Sequence, residues 1–270
     1  MKIVLIGAGR LATCLGPALL RAGHTLMQVY SRTQASAQTL ALRLGCPWTT
    51  APEEVMQGAD LYILAVKDGA LEALIPSVAR GREEALFVHT AGSMPLSVFE
   101  GSGCRRYGVF YPMQTFSKER ETDFRTLPIF VEGNGGETED TLRSLAATLS
   151  DSVYVLSSEG RKSLHLAAVF ACNFVNHCYA RSARILAERG IPFEVMLPLI
   201  DETAAKVHSL SPREAQTGPA IRYDRNVLAR HLDMLQTDGD AAAEYELLSR
   251  GIHRLAAAEE YFEQKKSRNG

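Results

Sequence analysis

The chain has 270 residues, 46% of them hydrophobic and 22% charged, and at about 150 residues per domain that favours two modest domains or one large one. These proportions exclude a disordered, collagen-like or low-complexity chain and leave ample apolar surface for a buried core. Lys plus Arg number 29 against 31 for Asp plus Glu, a net charge of −2 with no long run of either sign, so no nucleic-acid partner is expected.

In chain order, Ile3, Val4, Leu5 and Ile6 stand before Gly7, an apolar run too short for a signal peptide and readable as a first strand. Short β-branched runs then alternate with helical patterns, the sequence of a parallel sheet wound with helices. Strands are expected at 2–6, 25–30, 61–66, 86–89 and 105–110, and helices at 10–22, 33–44 and 69–79. Two later strands at 127–132 and 152–156 flank a helix at 137–149. After 156 the strand signals stop. Helical segments follow at 157–189, 193–209, 224–236 and 240–266, separated by Gly190 and Pro192 and by the Pro- and Gly-containing stretch 211–219. The expected class is α/β, with a dinucleotide-binding domain over 1–156 and an all-helical domain over 157–270 packed tightly on it. No stretch approaches about 18 uninterrupted apolar residues, so a cytoplasmic protein without a membrane partner is expected. The cysteines at 14, 46, 104, 172 and 178 form no CxxC pair and read as reduced structural thiols, with neither a disulfide framework nor a metal site.

The segment VLIGAGRLA puts Gly7, Ala8, Gly9, Arg10, Leu11 and Ala12 directly after the first strand. Gly7 permits the tight turn, Gly9 lets the backbone approach a diphosphate, and Ala12 lets the helix sit close to the strand. The helix N-terminus then points its free N–H groups and positive dipole end at the phosphates. Where an NAD site carries an acidic residue after the second strand, this chain has Ser31, Arg32 and Thr33. A carboxylate there would repel a 2′-phosphate, whereas Arg32 pairs with one through its planar fork and the hydroxyls donate to it. The cofactor expected is NADP(H).

Ligands of open parallel sheets lie beyond the C-terminal ends of the strands. Val66 and Lys67 end one strand, Gly92 and Ser93 follow another, and Gln114 lies in the segment YPMQTFS after a third. Val66, Lys67 and Gly92 are expected against the cofactor, Ser93 and Gln114 against a small-molecule substrate.

The helix expected from 157 carries a polar sector. At about 100° per residue, Asn176 falls about 20° from His165, Asn173 about 80° and His177 about 120°. Most other residues of that stretch are apolar, so the helix is expected to be buried and the sector to face a partner surface or a wet cavity. Two readings of it stand side by side, a pocket wall and a satisfied core histidine with structural asparagines.

The motifs GAGRLA (7–12), YSRT (30–33), HTAGS (89–93), YPMQTFS (111–117), HLAAVFACNF (165–174) and QTGPAIRYD (216–224) span almost the whole chain. Together they resemble the bacterial Rossmann-like and DUF2520 family, labelled NADP oxidoreductases and similar to pyrroline-5-carboxylate reductase and the 6-phosphogluconate dehydrogenase superfamily. The resemblance implies an N-terminal Rossmann domain, a helical C-terminal domain of the 6-phosphogluconate dehydrogenase kind that mediates a homodimer, and an active site between them. It carries His165 and Asn173 over as pocket residues, and Gln216, Thr217 and Gly218 as a loop that closes near them; Asn176, on the polar sector of the wheel, is expected against the substrate. Related β-hydroxyacid dehydrogenases place a Lys and an Asn four apart on the first interdomain helix, but here Val169 follows His165 by four. Lys162 lies about 60° off that face, which leaves the proton donor open between His165 and Lys162. Relatives labelled for a deazaflavin coenzyme exist, and no residue here speaks for or against one. The expected function is NADP(H)-dependent reduction of a small carbonyl or imine compound; the alternative is a non-catalytic NADP(H)-binding sensor.

Overall fold

The protein is described here from a computed structural model, which covers the backbone of residues 1–268 and the side chains of residues 1–257. Its sheet comprises β1 (Lys2–Ile6), β2 (Thr25–Tyr30), β3 (Trp48–Thr49), β4 (Leu61–Leu64), β5 (Leu86–His89), β6 (Arg106–Pro112), β7 (Pro128–Gly133) and β8 (Ser152–Val155). The helices of this region are α1 (Arg10–Arg21), α2 (Gln34–Leu44), α3 (Leu71–Ala79), α4 (Gly136–Leu149) and α5 (Ser158–Ala168). The eight strands lie in the order β3-β2-β1-β4-β5-β6-β7-β8. The order reverses at β1, whose residues Ile3 and Ile6 pair with Leu61 and Leu64 of β4 on one side and with Leu26 and Tyr30 of β2 on the other. This α/β architecture, a mostly parallel sheet covered by helices and followed by a helical region, is the one expected.

Both faces of the sheet are buried, and the strand alternation sorts the core. Ile3 and Leu5 pack with Leu15 and Leu19 of α1, Leu40 of α2 and Leu142 of α4, whereas Val4 and Ile6 pack with Leu71, Ile75 and Val78 of α3. A strand buried on both sides must be apolar at every position, which is why these runs read so clearly. Two features depart from the sequence reading. The ladder between β6 and β7 is antiparallel, with Tyr111 opposite Phe130, so the sheet is not parallel throughout. The two-residue β3, with Trp48 beside Val29, is too short to show a period.

The chain divides into two compact units, Met1–Asn173 and Phe174–Gly270, so α5 belongs with the sheet. Its Arg161 is fully buried against Glu132 of β7, a contact that ties the helix to the strand. The helix expected over 157–189 is interrupted by a π-helical turn, Val169–Phe174, before α6 (Val175–Ala187). A π turn closes its rings at i→i+5 and so holds more residues per turn than an α-helix, and the 100° wheel does not carry through it. The angles from His165 to Asn173, Asn176 and His177 are therefore corrected. So is the expectation of a buried helix: Asn173, Asn176 and His177 are exposed, and Leu166 is 59% exposed.

The second unit contains α6, α7 (Leu197–Lys206), α8 (Arg225–Met234) and α9 (Gly239–Arg268). Arg181 of α6 grips Glu244 of α9 with two bonds of 2.7 and 2.8 Å, and His231 of α8 meets the Tyr245 hydroxyl at 2.8 Å. Asp224 caps α8 by accepting from the Val227 N–H at 3.2 Å. No helix among the described residues is long and apolar enough to cross a membrane.

Candidate functional site

The glycine loop is shaped for close approach. Gly7 has φ +120°, and a Cβ there would lie 2.3 Å from the Ala65 carbonyl oxygen, so only glycine fits. Its N–H donates to the Tyr30 carbonyl at 2.7 Å, pinning the loop across the ends of β1, β2 and β4. Helix α1 starts from Gly9 with no side-chain cap and no acidic residue in its first turn, leaving its first N–H groups for an anion. Ala8 and Ala12 are buried, Leu11 packs on the core, and Arg10 is exposed. A backbone cradle with free donors at a helix N-terminus fits a dinucleotide diphosphate.

Around the cradle, Ser31 donates its N–H to the Thr49 carbonyl at 3.2 Å, Arg32 is exposed, and the Thr33 hydroxyl donates to that of Ser36 at 2.9 Å. Val66 is half-buried at the end of β4, and Lys67 is exposed beside it. Among the described residues no group of side chains could hold a metal ion.

A second cluster gathers beyond the ends of β4, β5 and β6. His165 sits close against Gly92, where a Cβ would come within 2.6 Å of Nδ1 and 2.8 Å of Cγ. The Tyr111 hydroxyl is 3.3 Å from the same Nδ1, and the rings meet edge to face. Burial raises the Tyr111 pKa, opposed by the Arg161 charge and aided by that of Asp68, so the phenol keeps its hydrogen. The Ser93 hydroxyl donates to the Asp68 carboxylate, buckling the loop after β5 to the loop after β4.

Behind this cluster lies a buried polar clamp. Arg161 pairs with Glu132 and donates to the Met94 carbonyl. Glu132 also accepts from the Ser158 hydroxyl at 2.8 Å, and the Ser158 oxygen accepts from the Leu96 N–H at 2.8 Å. The loop that carries Gly92 and Ser93 is thus held by α5 at two points. Buried His89 accepts from the Ala91 N–H at Nδ1, 3.2 Å, which assigns its hydrogen to Nε2, 3.3 Å from the Pro95 carbonyl. Desolvation above all, with the Arg161 charge behind it, lowers its pKa from 6.5 to about 4, and the ring is neutral.

The remaining expected residues are more dispersed. The Lys162 ammonium is bound by Glu159 at 2.8 Å. Gln114 is exposed, its Oε1 accepting from the Thr115 N–H at 2.8 Å, and Asn173 sits in the π-helical turn. Asn176, Gln216 and Thr217 belong to the second unit, where the Gln216 amide donates to the Thr217 carbonyl at 2.9 Å. Glu132 and Arg161 were not expected from sequence. The one available signal is weak, a single acidic residue closing the apolar strand PIFVEG.

Comparison with known proteins bears on the family and the fold. Residues 1–104 match a family model described as a Rossmann-like domain, and residues 127–252 match one described as DUF2520, a domain of unknown function. A crystal structure from Bacteroides fragilis, described as a "putative NADP oxidoreductase", is 56% identical, with 94% of this chain and 98% of that one covered and a TM-score of 0.90. An imine reductase from Myxococcus stipitatus in complex with NADP+ is 18% identical, covering 96% of this chain and 95% of its own, with a TM-score of 0.69. A 1-pyrroline-5-carboxylate reductase from Streptococcus pyogenes is 15% identical over 94% and 98% of the two chains, with a TM-score of 0.63. The last two share the fold. No curated protein matches the chain in sequence.

Proposed function

The chain belongs to the Rossmann-like and DUF2520 family, and from that premise we propose that it is an NADP(H)-dependent oxidoreductase that reduces a small carbonyl or imine compound. The observation that carries this reading is the pairing of two features at the C-terminal edge of one sheet. One is the Gly7 cradle, and the other is the His165 ring held by Gly92 and Tyr111. Such an edge, at the point where strand order reverses, is where open α/β sheets take their ligands.

When bound, NADPH supplies the hydride. Gly7, Gly9 and the first turn of α1 hold its diphosphate, and Ser31, Arg32 and Thr33 take its 2′-phosphate. Tyr111 occupies Nδ1 of His165, so a proton for the substrate is given or oriented at Nε2. When the imidazolium gives up its Nε2 proton the ring keeps its hydrogen on Nδ1, and the Tyr111 hydroxyl oxygen accepts from that Nδ1–H before and after the transfer, so the ring stays in place. Ser93, Gln114 and Asn173 hold the polar groups of the substrate. Lys162, bound by Glu159, is the lesser candidate for the proton. The protein acts as a homodimer through its second unit.

Fluorescence titration tests the cofactor reading: NADPH binds more tightly than NADH, and Arg32→Ala weakens NADPH by about tenfold or more, the size of a charge-assisted hydrogen bond. Equal affinities in the unmutated protein overturn it. For the chemistry, ketones, keto acids and cyclic imines are screened for NADPH oxidation. With the substrate found, His165→Gln is expected to keep NADPH binding and lose about 100-fold or more in turnover; an unchanged rate and pH profile assigns His165 a structural role.

A further inference from the structure

Helices α1 and α2 meet where Gly16 faces Leu44, and side chains of both line a notch of about 380 Å³. Ala8 of the glycine loop forms its upper lip, and Thr13, Ser36, Thr39, Arg43 and Lys118 line it. Lys118 arrives from the loop after β6, anchored one residue earlier by the Cys14 thiol, which donates to the Ser117 carbonyl at 3.3 Å.

The chemistry of the notch is one-sided. It carries two cations and three hydroxyls and no carboxylate, and neither Arg43 nor Lys118 is ion-paired among the described residues. Ser36 joins the notch to the 31–33 segment through its bond to Thr33. Thr13 spends its own hydrogen on the Gly9 carbonyl at 2.9 Å, so its oxygen helps to shape the floor without competing for an anion.

We propose that this notch is a binding site for a phosphomonoester dianion, with Arg43 and Lys118 as its cations. Its place beside Ala8 and Ser36 makes the 2′-phosphate of the cofactor the source to test first, which rests on the NADP(H) reading above; a free phosphate is the other source. Arg32 does not line the notch, so Arg43 and Lys118 would add to its contact rather than replace it.

The test is equilibrium binding of NADPH, NADH, 2′,5′-ADP, 5′-AMP and inorganic phosphate to the full chain and to Arg43→Ala, Lys118→Ala and the double variant. Each single change is expected to weaken NADPH and 2′,5′-ADP by up to about fivefold, the size of one exposed ion pair. NADH and 5′-AMP are unaffected, and the differences shrink as salt rises. If inorganic phosphate binding is lost in the double variant while NADPH and 2′,5′-ADP are untouched, the site stands and its ligand is a free phosphate. If the double variant binds all five probes as the unmutated chain does, the proposal is overturned. In that case an NADPH preference that still collapses in Arg32→Ala leaves the cofactor reading intact. Circular dichroism of each variant excludes loss of fold as the cause.

Discussion

The first unit hides most of its apolar side chains on two faces of a sheet, whereas the second leaves many of its own in solvent. Every residue of β4 and β5 is buried. In the second unit Val195, Leu199, Val207, Met234, Leu247 and Leu255 are exposed, and the buried positions among the described residues are Ala220, Ala241 and Ser249. Single exposed apolar residues need no explanation, but a helical unit with so little core of its own implies a covering surface. The same contrast governs the ion pairs. The side chains of Arg161 and Glu132 are 1% and 16% exposed, those of Arg181 and Glu244 23% and 38%. Burial decides what such a contact is worth: an uncompensated charge is costly where water cannot reach it and cheap where water can replace the partner.

The largest effect expected is from Glu132→Ala, which strands the buried Arg161 guanidinium and is predicted to lower stability to urea by about 3 to 5 kcal/mol. A loss near that of a surface pair would erase the contrast between the units.

Acid should act next, through His89. Its folded pKa of about 4 lies below the ordinary 6.5, so the unfolded chain binds a proton that the folded one refuses. That stability is complete above pH 6.5 and is lost as pH falls toward 4, by about 3 kcal/mol in all at about 1.4 kcal/mol per unit. His89→Gln, which keeps a donor near the Pro95 carbonyl, is expected to flatten the slope by one proton; an unchanged slope refutes the assignment.

For the second unit, the proposed homodimer would supply the covering surface. Light scattering should report twice the 29.5 kDa chain mass, and tenfold dilution should lower the apparent stability by about 1.4 kcal/mol. A 29.5 kDa particle with melts independent of concentration would sink this. The smallest effect belongs to Glu244. Arg181, through its side-chain bonds, holds this carboxyl down at about 2, yet Glu244→Gln should shift a thermal or urea melt only slightly, as is typical of a solvent-screened pair.

Parts of the site are legible in the sequence for reasons of local sterics. A loop passing within 2.3 Å of the Ala65 carbonyl at a virtual Cβ admits glycine alone, so Gly7 announces itself. The Ser31-Arg32-Thr33 segment is equally plain, because the end of β2 is set by the strand pattern. The π-helical turn in VFACNF carries no such mark, since its residues suit an α-helix as well, and the polar sector drawn on an unbroken wheel is displaced with it. Arg161, between Gly160 and Lys162, reads as a solvated helix residue.

The sequence by itself determined the elements whose causes are local: strands apolar on both faces, the strand-turn-helix at the N-terminus, and the absence of a carboxylate after β2. Only the tertiary structure decided which polar groups meet. Tyr111 reaches His165 across 54 positions, and Arg161 reaches Glu132 across 29. Those meetings follow from the antiparallel β6–β7 ladder and from the packing of α5 on it, and such register is a property of the assembled sheet that no single segment encodes.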